Sequence, residues 1–198
     1  MTILLGLTGS IGMGKTTAAQ MFRDEGIAVW DADATVHALY QAGGAAVPEI
    51  AARLPEAIVD GAVSRTVLKK LIPQDLAVLG FVEGVVHPLL ARKREEFIDA
   101  RQDHDVLVFD IPLLFETRAT DWLDVVACVL TDAARQEARV MARGGMTPEQ
   151  FKIILARQMP DSEKRALADF IIPTDTLDHA RAAVREVLAA IKQGQFHA

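Results

Sequence analysis

The segment Gly9–Thr16 constrains this chain more than any other, because it reads GSIGMGKT and matches the pattern G-x-x-x-x-G-K-[ST]. Glycines at these positions let successive backbone N–H groups turn toward one point and form a nest for an anion. The apolar run Ile3–Leu7 predicts a strand before the loop, and Lys15–Glu25 predicts a helix after it. Since a helix carries its positive end at its N-terminus, this arrangement is typical of a loop that binds nucleotide phosphates.

Two side chains at the end of the loop carry further chemistry. Lys15 can reach the outer phosphates of a nucleotide, and the Thr16 hydroxyl can coordinate Mg²⁺. We therefore predict ATP as a co-substrate and Mg²⁺ as its metal ion. The predicted ATP-binding residues of the loop are Gly9, Gly12, Met13, Gly14, Lys15, Thr16 and Thr17.

Short apolar runs separated by helical patterns predict the fold class. Strands that alternate with helices are typical of an α/β fold with a parallel sheet, here of five strands. In such sheets ligands bind at the carboxyl ends of the strands. The predicted strands are Ile3–Leu7, Ile27–Trp30, Val106–Asp110, Val125–Leu130 and Phe170–Ile172.

The stretch between the second and third predicted strands differs from the rest of the chain. It shows mostly helical patterns and no convincing core strand, and about 70 residues is too long for one crossover. We predict a single domain, residues 1–198, whose core is formed by residues 1–33 and 105–198. A helical insertion of about residues 34–104 interrupts that core.

Composition narrows the class of protein. The formal net charge of −6 argues against broad binding to nucleic acids or anionic membranes. The single cysteine, Cys128, excludes an internal disulfide and fits a reducing compartment. No apolar run approaches the about 18 residues of a membrane span. We expect a cytoplasmic protein, a monomer or weak homo-oligomer, without nucleic-acid or membrane partners.

An acidic pair, Asp31 and Asp33, follows the second predicted strand. Phosphoryl transfer needs a carboxylate that orients the acceptor hydroxyl and accepts its proton. If the strand continues, the two carboxylates point to opposite sides and one of them faces the acceptor. A helix cap for the segment beginning near Ala34 explains the pair equally well, and the spacing alone leaves both interpretations open.

Several blocks of the sequence, in this order, resemble the dephospho-CoA kinase family. The resemblance covers nearly the whole chain, and the blocks are specific in combination. They are Gly6–Thr17, Asp31–Asp33, Asp60-Gly61 with Arg65, His87-Pro88, Pro112–Glu116, Arg157-Gln158 and Ala168-Asp169.

The resemblance implies a fold and an activity. The implied fold is the three-layer fold of P-loop kinases, with a substrate-binding insertion and a lid of about residues 139–160. The implied reaction transfers the γ-phosphate of ATP to the ribose 3′-hydroxyl of dephospho-CoA, the last step of coenzyme A biosynthesis. Dephospho-CoA and ATP are then the two small-molecule partners, and Asp33 is the catalytic base beside Lys15 and Arg143.

Further site residues follow from position or from the resemblance. Arg139 and Arg143 lie four apart on one helix face, where mobile arginines would neutralise charge on ATP during transfer. Asp110 ends an apolar strand and would bind Mg²⁺ together with Thr16. The predicted substrate-binding residues are Asp33, Arg65, His87, Leu113, Glu116 and Arg157.

The chain departs from the family pattern near the predicted adenine site, and two alternative functions stay open. Thr174 and Thr176 stand where members usually carry Asn and Gly near the adenine. A GTPase is disfavoured, because the chain contains no asparagine and so lacks the guanine-reading N-K-x-D motif. The open alternatives are another P-loop nucleoside or nucleotide kinase and a non-catalytic nucleotide-binding switch.

Overall fold

The computed structural model describes residues 2–196, which form seven strands and nine helices, numbered here in chain order. The strands are β1 (Ile3–Thr8), β2 (Ala28–Asp31), β3 (Ile58–Val59), β4 (Ala62–Val63), β5 (Val106–Asp110), β6 (Val125–Leu130) and β7 (Phe170–Pro173). The helices are α1 (Lys15–Asp24), α2 (Ala32–Tyr40), α3 (Val47–Arg53), α4 (Arg65–Leu71), α5 (Leu76–Asp99), α6 (Ala133–Ala142), α7 (Pro148–Leu155), α8 (Asp161–Leu167) and α9 (Leu177–Lys192). A short 3₁₀ helix covers Pro55–Ala57.

Five of the strands form one parallel sheet in the order β2-β5-β1-β6-β7, which confirms the predicted α/β fold and its five-stranded parallel sheet. β1 lies in the middle, with Leu5 opposite Val108 on β5 and Val125 on β6. Every residue of β5 and β6 is buried, as both faces of a parallel sheet usually are. That double burial explains why these strands read as unbroken apolar runs in the sequence.

The core of the sheet is covered by α1 and α9, which pack on each other and on the strands. Phe22 of α1 and Val184 of α9 are both fully buried in this cluster. Gly26, with φ of 80°, ends α1, and the Ile27 N–H donates to the Phe22 carbonyl at 3.0 Å. This is the glycine stop that the sequence predicts.

Cys128 lies at the centre of β6 and is fully buried. Burial raises the pKa of its thiol to about 11, so the group stays protonated at neutral pH. The residue therefore serves as an ordinary part of the core.

Residues 31–101 form a second compact unit, and the rest of the described chain forms the first. Its core consists of buried apolar side chains from α2, α3 and α5, among them Leu39, Ile50 and Val82. β3 and β4 pair antiparallel in a small hairpin that is separate from the five-stranded sheet. This hairpin was not predicted, because strands of two residues are too short to show a pattern.

Two helix predictions change in detail. The sequence predicts one helix over Thr147–Met159, whereas α7 ends at Leu155 and a turn follows. Its predicted start holds, since Thr147 and Gln150 form a capping box. Pro88 lies inside α5 rather than at the start of a new segment. No helix within residues 2–196 combines the length and the apolar character of a membrane span.

Candidate active site

The phosphate loop, Gly9–Thr16, connects the end of β1 to the start of α1. Gly12 and Gly14 adopt φ values of 79° and 90°, in the left-handed region that favours glycine. Space is also limiting at Gly12, because a Cβ atom there would lie 2.9 Å from the carbonyl oxygen of Gln136 on α6. Both the backbone angle and the neighbouring helix therefore require glycine at this position.

The first turn of α1 offers donors for an anion. The helix begins at Lys15. Because its N-cap residue is Gly14, no side chain caps the N–H groups of the first turn. Thr16 and Thr17 are exposed in that turn. Because the N–H groups of a first turn lack partners within the helix, this end of α1 suits the phosphates that the sequence predicts.

Lys15 forms an ion pair with Asp110, the last residue of β5. Asp110 is only 4% exposed, so its carboxylate is fixed at the carboxyl edge of the sheet. The structure thus brings together the residue predicted to bind phosphate and one of the two predicted to bind metal.

Glu116 lies in the turn after β5, with its carboxylate inside the protein. Its Oε1 accepts hydrogen bonds from Lys164 Nζ at 2.9 Å and from the Met159 N–H at 2.9 Å. Burial on its own would raise the pKa of Glu116, but these hydrogen bonds, one from its own backbone and the charge of Lys164 together lower the pKa below its ordinary value. Glu116 is therefore held charged against Lys164, and its predicted contact with substrate stays a prediction.

Arg139 and Arg143 line a small cavity of about 150 Å³ together with Gly14 and Thr174. The Arg139 guanidinium donates to the Thr174 hydroxyl at 3.2 Å and also to the Thr174 carbonyl oxygen. The same hydroxyl donates to the Met13 carbonyl at 2.6 Å. Thr174, which departs from the family pattern, therefore supports the backbone of the phosphate loop, a role that the sequence did not predict.

The structure separates the two carboxylates of the acidic pair. Asp31 ends β2 and caps α2, because its Oδ1 accepts the Ala34 N–H at 2.8 Å. Asp33 lies exposed in the first turn of α2. The strand does not continue past Asp31, so a helical turn rather than strand alternation sets the two side chains apart.

Within residues 31–101, one cavity of about 350 Å³ is lined by Asp33, Arg65 and His87. The rest of its lining is mainly apolar. The Arg65 guanidinium lies 5.6 Å from the ring centroid of Tyr40, in the range of a cation–π contact. Three residues that the sequence assigns to the acceptor substrate therefore share one concave surface.

Two other predicted substrate residues lie at the surface. Leu113 is 41% exposed in the turn after β5, and Arg157 is exposed in the turn after α7. Their contacts with substrate stay predictions.

Three side chains that hold the phosphate loop were missed from the sequence. The Gln136 amide donates to the Ile11 carbonyl at 2.7 Å, and the Gln158 side-chain oxygen accepts the Ile11 N–H at 3.0 Å. Lys164 Nζ donates to Ser10 Oγ at 3.2 Å. Gln158 belongs to a block of the family resemblance, which is the one signal that pointed to any of the three.

A parallel sheet with a phosphate loop at its carboxyl edge, and paired arginines beside that loop, define a P-loop kinase. The comparisons with known proteins agree with that class. Residues 3–178 match the dephospho-CoA kinase family.

Relatives that are themselves named dephospho-CoA kinases match this chain over its full length or nearly so. The dephospho-CoA kinase of Ruegeria pomeroyi is 58% identical over 198 residues, covering 100% of both chains. The dephospho-CoA kinase of Jannaschia sp. is 48% identical and covers 98% of this chain and 100% of that one. The chain therefore belongs to the dephospho-CoA kinase family, which confirms the predicted family and the predicted kinase class.

Solved structures share the fold. A crystal structure of a Thermus thermophilus protein superposes with a TM-score of 0.85 at 31% identity, covering 96% of this chain and 97% of that one. The dephospho-CoA kinase of Campylobacter jejuni gives a TM-score of 0.64 at 21% identity over 96% and 97% of the two chains. At that identity the second likeness supports the fold alone.

Proposed function

We propose that this chain transfers the γ-phosphoryl group of ATP to the ribose 3′-hydroxyl of dephospho-CoA, giving coenzyme A and ADP. The observation that carries the proposal is the cavity lined by Asp33, Arg65 and His87, in a chain of this family that also has a phosphate loop. This would be the last step of coenzyme A biosynthesis, in the cytoplasm, by a monomer or weak homo-oligomer.

The phosphate loop would bind the phosphate donor, ATP. Its backbone N–H groups and the first turn of α1 would bind the phosphates of ATP, with Lys15 on the outer ones. Since the Lys15 ammonium already lies at the carboxyl edge of the sheet, little rearrangement is needed for it to meet developing charge.

Mg²⁺ is the metal that these residues suit. The Thr16 hydroxyl and the Asp110 carboxylate are hard oxygen ligands, and Mg²⁺ usually takes few protein ligands besides the phosphates and water. The described residues contain no cluster of three or more His, Cys, Asp or Glu side chains that could hold a metal alone, which agrees with such a shared site. When bound, Mg²⁺ would neutralise charge on the phosphates.

The cavity within residues 31–101 would bind the acceptor substrate. Asp33 would orient the acceptor hydroxyl and accept its proton late in transfer. Arg65 and Lys69 place positive charge in the same cavity, which suits the phosphate groups of dephospho-CoA. The apolar remainder of the lining suits the rest of that long acceptor.

The lid residues would complete the site. Arg139 and Arg143 line the cavity next to Gly14, and Arg157 lies in the turn after α7. Arginines that approach the transferring group stabilise its charge, and closure of such a segment excludes water that would otherwise hydrolyse ATP. A lid of about residues 139–160 is our proposal for the segment that closes.

A panel of acceptors with γ-labelled ATP tests this function. We expect label in dephospho-CoA, on its 3′-oxygen, and at most slow transfer to nucleosides and nucleoside monophosphates. Preferred transfer to one of those acceptors would replace the proposal with a nucleotide-kinase function. Slow hydrolysis of ATP without transfer to any acceptor would favour the switch interpretation.

A further inference from the structure

Lys164 is a charged side chain with no exposed surface. Its ammonium donates to Ser10 Oγ in the phosphate loop at 3.2 Å and to Glu116 Oε1 at 2.9 Å. Ser10 is 2% exposed, and its hydroxyl donates to Asp161 Oδ1 at 2.7 Å. These four side chains, of which Lys164 and Ser10 are buried and Glu116 and Asp161 partly buried, form a polar group called here the Lys164 network.

The Lys164 network joins separate parts of the chain. Ser10 belongs to the phosphate loop, Glu116 to the turn after β5, and Asp161 to the start of α8. Because Glu116 Oε1 also accepts the Met159 N–H, the network reaches the turn between α7 and α8 as well.

That turn contacts the phosphate loop a second time. Gln158, next to Met159, accepts the N–H of Ile11, the residue after Ser10. Two consecutive residues of the phosphate loop are therefore bound to the segment that follows α7. The same segment contains Arg157, which the sequence assigns to the lid.

Stability is a poor explanation for a lysine in this place. Burying an ammonium costs free energy even when it is paired, and an apolar side chain of similar volume often serves the core as well or better. Directed hydrogen bonds differ from apolar contacts because they select one arrangement of the groups they join. What the network provides at Ser10 is therefore a defined backbone geometry.

We propose that Lys164 is a positioning residue for phosphoryl transfer, which fixes Ser10 of the phosphate loop to the segment after α7 through Glu116. The inference rests on the proposed function, since it takes ATP as the phosphate donor. Backbone N–H groups stabilise developing charge only if they already point at it. Lys164 thus acts on the reaction through Ser10, without contact to either substrate.

The test uses the double variant Lys164→Met/Glu116→Gln in the full chain. Removing both charges together avoids leaving one of them buried alone. We expect the Kd for ATP, measured by titration calorimetry, to rise about tenfold, and kcat with dephospho-CoA to fall about tenfold. The KM for dephospho-CoA is compared in Ser10→Ala, which keeps Glu116, and should change less than about twofold there, because the proposed acceptor cavity does not include Ser10.

A second variant and a control make the test specific. Ser10→Ala removes one hydroxyl from the network, keeps both charges, and should reproduce the weaker ATP binding in part. Lys192→Met makes the same lysine change at an exposed position of α9 and should leave all parameters unchanged. Circular dichroism at the assay temperature gives the folded fraction of each variant, by which every rate is corrected.

Each outcome is decisive. ATP affinities of both network variants equal to that of Lys192→Met would overturn the inference, as would losses that disappear after correction for the folded fraction. If the double variant does not fold, Ser10→Ala decides alone. If wild-type protein binds ATP but does not phosphorylate dephospho-CoA, the proposed function fails, while weaker ATP binding by the variants still supports the role of Lys164.

Discussion

Among single residues, Asp31 and Asp33 show how the end of a strand places two nearby carboxylates in different environments. β2 ends at Asp31, which then caps α2, and the turn that follows places Asp33 in the cavity lined also by His87. An aspartate can serve as a helix cap or as a catalytic base, so the residue type alone could not separate the two roles. The point at which the strand ends makes Asp31 the cap and leaves Asp33 as the proposed base.

Replacing these carboxylates one at a time should give opposite results. Asp33→Asn should lower kcat by at least about a hundredfold, since an amide cannot accept the proton of the acceptor hydroxyl. Asp31→Asn should retain most activity, because asparagine caps helices about as well as aspartate. Steady-state assays with dephospho-CoA and calorimetric ATP titrations check both variants. A large loss in Asp31→Asn alone would reassign the base.

Lys15 is the second residue whose role follows from its position. Lys15→Ala removes a fixed cation from the phosphate loop and should reduce the rate about a hundredfold, or about 3 kcal/mol of transition-state stabilisation. The matched control is Lys192→Ala at an exposed site on α9. Wild-type turnover in Lys15→Ala would contradict the assignment of the phosphate loop.

The sequence predicts the residues of this site better than their partners. The phosphate loop carries a motif because its chemistry demands particular residue types at particular spacings, whereas Asp33 and His87 were singled out through blocks of the family resemblance. Lys164 carries none, since it lies in the polar run DSEKR, where any lysine looks like a solvated surface residue. Its burial depends on α8 packing near Ser10, and no local pattern encodes that long-range contact.

At the scale of elements, the close approach of α6 to the phosphate loop depends on a glycine. A Cβ on Gly12 would lie 2.7 Å from Val140 Cγ2 and 2.9 Å from the Gln136 carbonyl oxygen, both on α6. The helix and the loop thus fit each other only with glycine between them.

Gly12→Ala should therefore weaken ATP binding at least about tenfold and lower stability by more than the about 1 kcal/mol of an unfavourable backbone angle. Gly43→Ala is the control, because Gly43 has nearly the same φ, 78°, with open space around its Cβ position. Urea unfolding and ATP titration of both variants separate the clash from the backbone strain. Equal stability losses would contradict the packing argument.

The elements themselves were largely predictable. β5 and β6 are buried on both faces and are therefore recognisable as apolar runs in the sequence. The capping pair Thr147 and Gln150 indicates the start of α7. The helix through Pro88 and the hairpin of β3 and β4 were not predicted. A proline argues locally for a break, and what keeps α5 continuous is its packing in the second core.

For the whole molecule, the Lys164 network links stability to pH. Burial raises the pKa of Glu116, but its hydrogen bonds, chiefly from Lys164 and Met159, and the charge of Lys164 together lower it. A carboxyl whose pKa is lower in the folded state stabilises the protein above its ordinary pKa of 4.5. That contribution is lost as the pH falls through the folded-state pKa.

The difference in unfolding free energy between wild type and Glu116→Gln should therefore be largest at neutral pH and decrease below pH 4.5. Other carboxyls titrate alike in both proteins and cancel in the difference. Urea titrations across this range provide the measurement, with Glu163→Gln, exposed on α8, as the control. A difference that stays constant into acid would show that Glu116 does not contribute through its charge.

The second unit is one uninterrupted stretch of chain, and the strands that precede and follow it, β2 and β5, are neighbours in the sheet. Evolution can therefore exchange this stretch as one continuous piece of chain. On the proposed function, mutation or exchange of this stretch would alter which alcohol is recognised, while the phosphate loop is inherited unchanged. Enzymes built in this way can diversify in acceptor without reinventing their energy source.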